Sequence, residues 1–148
     1  MTTTTAEQLR QNVALAALGW LGTPYHHHAR IKGVGVDCVH LLCAVFEACG
    51  LVPPIDPGIY APDWHHCRNA ELYIAGLQQH GQEVGAPELG DVAIFKFGRT
   101  YSHAGVMVSS DEVVHAYSGM GVILTRLREE PLASRPARFF RVNALAGA

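Results

Sequence analysis

Apolar residues in the first part of the chain recur every three or four positions, the spacing that places them on one face of an α-helix. The first such run comprises Leu9, Val13, Ala16, Ala17 and Trp20. Thr4 and Glu7 have the spacing of a capping box, in which each side chain binds an open backbone N–H at the helix start. Gly19 or Gly22 is suited to end the run. The pattern therefore predicts a helix that begins near Thr4 or Thr5.

A second helical run follows a turn-rich loop over residues 22–35. Its apolar face comprises Leu41, Leu42, Val45, Phe46 and Cys49. Asp37 can cap its first turn, and Gly50 stands where a left-handed C-cap belongs. Four prolines then predict an irregular segment over residues 51–67, and a third helix is predicted from about Arg68 to His80.

After Pro87 the apolar period changes from helical to strand-like. Short β-branched or aromatic runs occupy residues 91–97, 103–108, 112–117, 122–127 and 138–142. The connections over residues 109–111 and 118–121 suit antiparallel hairpins. Helices followed by an antiparallel meander predict a single α+β domain over residues 1–148.

Composition and charge narrow the class of protein. Of the 148 residues 49% are apolar and 16% are charged, which is typical of a globular domain with its own core. The net charge of −2 gives no electrostatic reason to expect nucleic acid or an acidic membrane as a partner. The longest apolar stretch, from Val13 to Leu21, is too short to span a bilayer. A series of arginines near the end is typical of a solvated edge: Arg126, Arg128, Arg135, Arg138 and Arg141.

The four cysteines differ in their positions. Cys38, Cys43, Cys49 and Cys67 lack the spacing of a disulfide scaffold, and the N-terminus lacks the pattern of a signal peptide, so we expect reduced thiols and synthesis in the cytoplasm. Cys38 lies in the first turn of the second predicted helix, where N–H groups and the helix dipole favour a thiolate. The same N–H groups suit the oxyanion that forms when a thiolate attacks a carbonyl. Cys43 and Cys49 are expected to pack inertly, and the role of Cys67 is open.

A cysteine nucleophile needs a base and a group that orients the base. His103 opens a predicted strand, and Ala104 and Gly105 after it allow close approach of another segment or a substrate. His115 lies in the next predicted strand, and a hairpin of this length can place both imidazoles side by side on one sheet face. Cys38, His103 and His115 are therefore the predicted nucleophile, base and orienting group.

These residues stand within a set of motifs that resembles the NlpC-type cell-wall peptidases of the papain-like clan. In chain order the motifs are Gly22-Thr-Pro-Tyr25, Gly35-Val-Asp-Cys38, Gly50-Leu-Val-Pro53, Leu89-Gly-Asp-Val92, Ser102-His-Ala-Gly105 and Val113-Val-His-Ala116. They keep the family's order over almost the whole chain, and their conjunction is more specific than any one of them. The resemblance implies a papain-like fold, in which N-terminal helices with the nucleophile at a helix start pack on a C-terminal antiparallel sheet.

The resemblance also implies roles for single residues. Cys38, His103 and His115 match the family's triad, and Tyr25 matches a tyrosine that helps to form the oxyanion hole. Asp37 matches an aspartate that contacts the free amine of the substrate peptide. The implied activity is that of a cysteine endopeptidase, which cuts peptidoglycan stem peptides through a thioester and needs no cofactor. The scissile bond would join the γ-carboxyl of D-glutamate to a diamino acid such as diaminopimelate.

One pair of positions departs from the family pattern. The family continues Asp-Cys with Ser-Gly, whereas this chain has Val39-His40. The family's serine shapes the substrate pocket, so the departure bears on the substrate and leaves the triad unchanged. We interpret His40 as a residue that narrows the site, contacts substrate or points outward. Trp64 is interpreted as a local anchor or as part of a substrate groove.

Other functions compete with the peptidase hypothesis. The Val39-His40 departure favours a non-catalytic tail or assembly component, and the same nucleophile could serve an amidase or acyltransferase with a non-wall substrate. The absence of a signal peptide suits a phage or tail-like particle that delivers the protein to the wall. Histidines 26–28, with His65, His66 and Cys67, invite a zinc hypothesis, but no CxxC or HxxxH spacing supports it and no metal site is predicted.

Overall fold

Three helices and an antiparallel sheet make up the fold of this chain, in a computed structural model that describes residues 5–55, 57 and 72–146. The helices are α1 (Ala6–Leu18), α2 (Cys38–Ala48) and α3 (Leu72–His80), and a 3₁₀ turn covers Asn143–Leu145. The strands are β1 (Arg30–Ile31), β2 (Gly35–Val36), β3 (Gly81–Val84), β4 (Val92–Phe97), β5 (Thr100–Met107), β6 (Glu112–Tyr117), β7 (Gly121–Arg126) and β8 (Ala137–Val142). This arrangement confirms the predicted α+β class.

The first two helices are capped by side chains close to the predicted positions. In α1 the capping box is formed by Thr5 and Gln8, one residue later than predicted: Thr5 Oγ1 accepts from Gln8 N at 3.1 Å, and Gln8 Oε1 accepts from Thr5 N at 2.9 Å. Asp37 caps α2 as predicted. Gly50 follows α2 with φ +72°, a left-handed conformation that glycine adopts without steric cost.

The larger sheet has the strand order β3-β8-β4-β5-β6-β7, and every neighbouring pair is antiparallel. The predicted meander is correct for β4 to β7. It is wrong for β8, which returns across the sheet and lies between β3 and β4. Strand order of this kind depends on long-range pairing, which the hydrophobic pattern of a single strand does not contain.

Three strands were not predicted from the sequence. β1 and β2 form a short hairpin within the segment predicted as a loop, and each has only two residues, too few to show a period. β3 contains Gln82 and Glu83 and therefore lacks an apolar signal. It is held by its ladder with β8 and by Glu83, which accepts two hydrogen bonds from Arg138 at 2.9 and 2.6 Å.

Apolar side chains cover both faces of the sheet. The larger cluster packs α1 and α2 on the sheet and includes Val13, Ala17, Leu41, Val45, Phe46, Val92, Ile94, Val106 and Val114. A smaller cluster lies on the opposite face and comprises Ala93, Phe95, Met107, Val113 and Leu132. Because alternate residues of a strand point to opposite faces, β4, β5 and β6 contribute to both clusters.

A buried carboxylate ties the first helix to the last strand. Asp91 has no exposed surface, and Arg141 donates to its two oxygens at 3.0 and 2.8 Å. Arg10 of α1 lies 3.4 Å from the same carboxylate and donates to the backbone oxygens of Leu89 and Leu145. The expectation of a solvated edge is therefore wrong for Arg141, because its partner is buried and distant in sequence.

Some sequence predictions fall on residues outside the described ranges. They include Trp64, Cys67 and the start of the third helix before Leu72. Within the described ranges, no helix is both long enough and apolar enough to cross a membrane.

Candidate active site

Cys38 is the first residue of α2, and 6% of its surface is exposed. Its Sγ lies 4.0 Å from the backbone oxygen of Ser102, the residue that precedes His103 in β5. The helix start places backbone N–H groups and the positive end of the helix dipole at this sulfur. The thiol thus lies where a developing negative charge is stabilised, next to the strand that carries the predicted base.

Asp37 joins the loop before α2 to the start of that helix. Its side chain is almost fully buried. Oδ1 accepts from the backbone N–H of His40 at 2.9 Å, and Oδ2 accepts from the backbone N–H of His28 at 2.8 Å. A carboxylate can accept further hydrogen bonds beyond these two. Asp37 therefore has a clear structural role, and its contact with a substrate amine stays a prediction.

His103 and His115 are hydrogen-bonded to each other, as the sequence predicted for neighbours on one sheet face. His103 Nε2 lies 2.7 Å from His115 Nδ1, and the two side chains are 8% and 0% exposed. On its other side, His115 Nε2 lies 2.9 Å from Thr125 Oγ1 in β7. Sequence reasoning missed Thr125, because only the register between β6 and β7 brings its hydroxyl to the histidine.

The register of β4, β5 and β6 explains why His103 and His115 lie side by side. Phe95 pairs with His103 across β4 and β5, and Gly105 pairs with His115 across β5 and β6. A β-bulge leaves Ser102 without a partner in β4, since Lys96 pairs with Tyr101. An added Cβ at Gly105 would clash with Val113, with the backbone oxygen of Val114 and with the Cβ of His115, so the close pairing of β5 with β6 requires a glycine here.

Burial keeps the histidine pair neutral at neutral pH. It lowers the pKa of His103 well below its usual range, and the nearby His115 and Arg135 lower it further. Burial alone lowers the pKa of His115 to about 4. The rings of Phe97 and Tyr117 lie 5.2 and 5.8 Å from that of His103 and screen the pair from water. A neutral His103 is the state that can accept a proton.

Tyr25 lies beside the thiol. Its backbone forms a parallel bridge with Val36, two residues before Cys38. Burial raises the pKa of its hydroxyl, and the charges of Cys38 and Asp37 raise it further. The hydroxyl therefore stays protonated and can donate a hydrogen bond.

Val39 and His40 face different neighbours of α2: His40 contacts Arg30 of β1, and Val39 faces α3. His40 Nδ1 accepts from Arg30 Nε at 3.0 Å, so the neutral ring carries its proton on Nε2. Arg30 in turn forms an ion pair with Glu47 at 2.9 Å. Val39 instead lines an apolar pocket of about 210 Å³ between α2 and α3. The imidazole is thus held toward β1, and the valine contributes to packing.

The remaining candidates have other surroundings. Burial raises the pKa of Cys43 to about 11 and also raises the pKa of Cys49, which makes both thiols poor nucleophiles at neutral pH. Neither of them nor Cys38 is in a disulfide. Among the described residues, no three His, Cys, Asp or Glu side chains are arranged to hold a metal ion.

Comparison with known proteins gives the context for this geometry. The sequence profile described as the NlpC/P60 family matches residues 22–141. A search of curated proteins found no match. Among solved structures, an NlpC/P60 family protein from Bacillus cereus ATCC 10987 superposes with a TM-score of 0.61 at 17% identity, over 93% of this chain and 40% of that protein.

Two other solved structures have the same fold. A protein from Staphylococcus aureus subsp. aureus Mu50, described as similar to lipoprotein and of the NLP/P60 family, has a TM-score of 0.60 at 20% identity, over 92% of this chain and 42% of its own. The NlpC/p60 domain of the peptidoglycan hydrolase SagA has a TM-score of 0.57 at 16% identity, over 87% of this chain and 96% of that domain. The chain thus spans less than half of the staphylococcal and Bacillus proteins. At these identities the superpositions show the fold, whereas the profile match covers most of the sequence, and this chain therefore belongs to the NlpC/P60 family.

Proposed function

We propose that this protein is a cysteine endopeptidase that hydrolyses an amide bond in peptidoglycan stem peptides. The observation that carries the proposal is the buried 2.7 Å hydrogen bond between His103 Nε2 and His115 Nδ1, next to a thiol at a helix start. A histidine oriented by a second polar group and adjacent to a cysteine is the arrangement that nucleophilic catalysis requires.

The hydrogen bonds assign a role to each ring nitrogen. Since His103 Nε2 is engaged with His115, Nδ1 is the nitrogen that takes the proton of Cys38. The thiolate attacks the amide carbon, and backbone N–H groups of α2 with the Tyr25 hydroxyl stabilise the oxyanion. The imidazolium returns its proton to the leaving amine as the C–N bond breaks, which leaves a thioester on Cys38. Water, deprotonated by His103, then hydrolyses the thioester and releases the acid.

The substrate proposal rests on family membership and on three residues. We take the scissile bond to join the γ-carboxyl of D-glutamate to a diamino acid, as the resemblance implies. Asp37, His40 and Trp64 are proposed to contact the peptide. Asp37 supplies negative charge beside Cys38, and His40 supplies an N–H donor whose tautomer Arg30 fixes.

The direct test is hydrolysis of purified diaminopimelate-containing muropeptides, followed by mass spectrometry of the products. Wild type is expected to release fragments cut at the γ-glutamyl bond, and Cys38→Ala is expected to release none. Cys43→Ala is the matched control, since it removes a thiol from the same helix and should keep the activity. Identical product traces for wild type and Cys38→Ala would refute the peptidase.

A second candidate function is a non-catalytic assembly component that retains the fold, favoured by the packing of Val39 and by the hydrogen bond that holds His40. It predicts intact muropeptides after incubation with wild type. An amidase or acyltransferase with a non-wall substrate would also leave muropeptides intact, but its Cys38 would still be alkylated in a His103-dependent manner. Delivery to the wall by a tail-like particle stays a prediction of the sequence.

A further inference from the structure

Thr125 completes a line of three buried polar side chains that starts at His103. Its hydroxyl is 2.9 Å from His115 Nε2, and 7% of the residue is exposed. It pairs with Val113 in the ladder between β6 and β7. Val113 belongs to the smaller apolar cluster, on the sheet face opposite α1 and α2. Within the described residues, this hydroxyl is the hydrogen-bond partner found for His115 Nε2.

The line can hold its protons in two arrangements, because a hydroxyl both donates and accepts and a neutral imidazole has two tautomers. In the first, His103 Nε2–H donates to His115 Nδ1, and His115 Nε2–H donates to Thr125 Oγ1. His103 Nδ1 then has a lone pair. In the second, every bond is reversed and His103 Nδ1 carries a proton, so it cannot act as a base.

Protonation of His103 is compatible with the first arrangement alone. An imidazolium has protons on both ring nitrogens, so its Nε2–H must face an unprotonated His115 Nδ1. His115 then has its proton on Nε2, and that proton needs a buried acceptor. The Thr125 hydroxyl oxygen is placed at the required distance.

We propose that Thr125 is a positioning residue, whose hydroxyl oxygen accepts from His115 Nε2–H and thereby keeps His115 Nδ1 unprotonated toward His103. The catalytic role of Thr125 rests on the proposed function. The tautomer of His115 does not, because it is a property of the protein without substrate. Thr125 acts through His115 and has no contact with the reacting atoms.

The test compares Thr125→Val, which removes the acceptor at similar volume, with Thr125→Ser, which keeps the oxygen. The ¹⁵N chemical shifts of the histidine rings report which nitrogen of His115 is protonated. We expect Nε2–H in wild type and Thr125→Ser, and a mixture of tautomers in Thr125→Val. Thr23→Val is the matched control, because Thr23 is a buried threonine whose hydroxyl accepts from Gly33 N at 3.0 Å.

The second measurement is the rate of Cys38 alkylation by iodoacetamide across pH. Thr125→Val is expected to slow it about tenfold near neutral pH, equivalent to about 1.4 kcal/mol, with rescue in Thr125→Ser. Wild-type tautomer and wild-type alkylation in Thr125→Val, with the fold intact, would overturn the proposal. Alkylation that is unchanged by His103→Gln would instead refute the proposed function, and the ring shifts would still decide the role of Thr125.

Discussion

Gly105 lies directly opposite His115 in the ladder between β5 and β6, and an added Cβ at Gly105 would lie 2.9 Å from the Cβ of His115 and 2.7 Å from the backbone oxygen of Val114. Neither contact can relax without a shift of one strand, because both involve the sheet itself. The close approach of β5 and β6, the two strands that carry His103 and His115, therefore depends on the missing side chain of Gly105.

Gly105→Ala is expected to lower the free energy of unfolding by about 1–3 kcal/mol, the usual cost of overpacking a core. Muropeptide hydrolysis is expected to fall with it, since the histidine pair cannot keep its geometry. Urea denaturation and product analysis measure the two effects. Gly76→Ala is the matched control, because Gly76 lies in α3 with no atom near an added Cβ. A Gly105→Ala protein as stable as wild type would contradict the packing argument.

Stability is expected to decrease as the pH falls from about 6.5 toward 4. The folded protein holds the pKa of His115 at about 4 and that of His103 well below its usual range, so in this window the unfolded chain binds protons that the folded protein does not. Each such histidine lowers the free energy of unfolding by up to about 1.4 kcal/mol per unit of pH. Urea denaturation across the pH series measures the slope. His115→Gln should make the slope shallower, and an unchanged slope would count against the buried neutral pair.

Iodoacetamide at pH 7 is expected to modify Cys38 at least about tenfold faster than Cys43 or Cys49. The helix start favours the thiolate of Cys38, whereas burial raises the pKa of Cys43 to about 11 and also raises that of Cys49. Peptide mapping by mass spectrometry separates the sites. His103→Gln should slow the modification of Cys38 and leave that of Cys43 unchanged. Equal rates at Cys38 and Cys43 would show that the helix start does not activate the thiol.

Asp91→Asn is expected to destabilise the fold by about 3 kcal/mol, because it removes a buried charge that Arg141 and Arg10 face. Thermal and urea denaturation measure the loss. The comparison is Glu83→Gln, which removes the exposed partner of Arg138 and should cost much less. A similar loss in both variants would mean that burial does not decide the strength of these ion pairs.

The sequence predicted those parts of the site that depend on local pattern. The start of α2 could be placed because Asp37 is a capping residue directly before an apolar helical face, and this position singled out Cys38. His103 and His115 could be placed side by side because hairpin length and alternation determine which residues share a face. The family motifs added Tyr25.

The parts that were missed depend on contacts between distant residues. Thr125 resembles any other threonine of a strand until β6 and β7 are aligned. β3 has no apolar pattern, and its existence depends on β8, more than fifty residues later in the chain. The partial burial of Arg141 could not be predicted, because its partner Asp91 directly precedes β4 and is 50 residues away in the sequence.

The bulge at Ser102 makes the presence of a residue at this position matter more than the identity of its side chain. Residues two apart in a regular strand share one face of the sheet. Here Tyr101 packs against the larger cluster, on the face that α1 and α2 cover, whereas His103 contacts Phe97 on the opposite face. Ser102→Ala would keep the extra residue, and His103 would still face the side of the sheet opposite to Tyr101. Deletion of the single codon for Ser102 would regularise the strand and remove the backbone oxygen that lies beside Cys38. Substitutions of Ser102 should therefore be tolerated far more readily than insertions or deletions beside it.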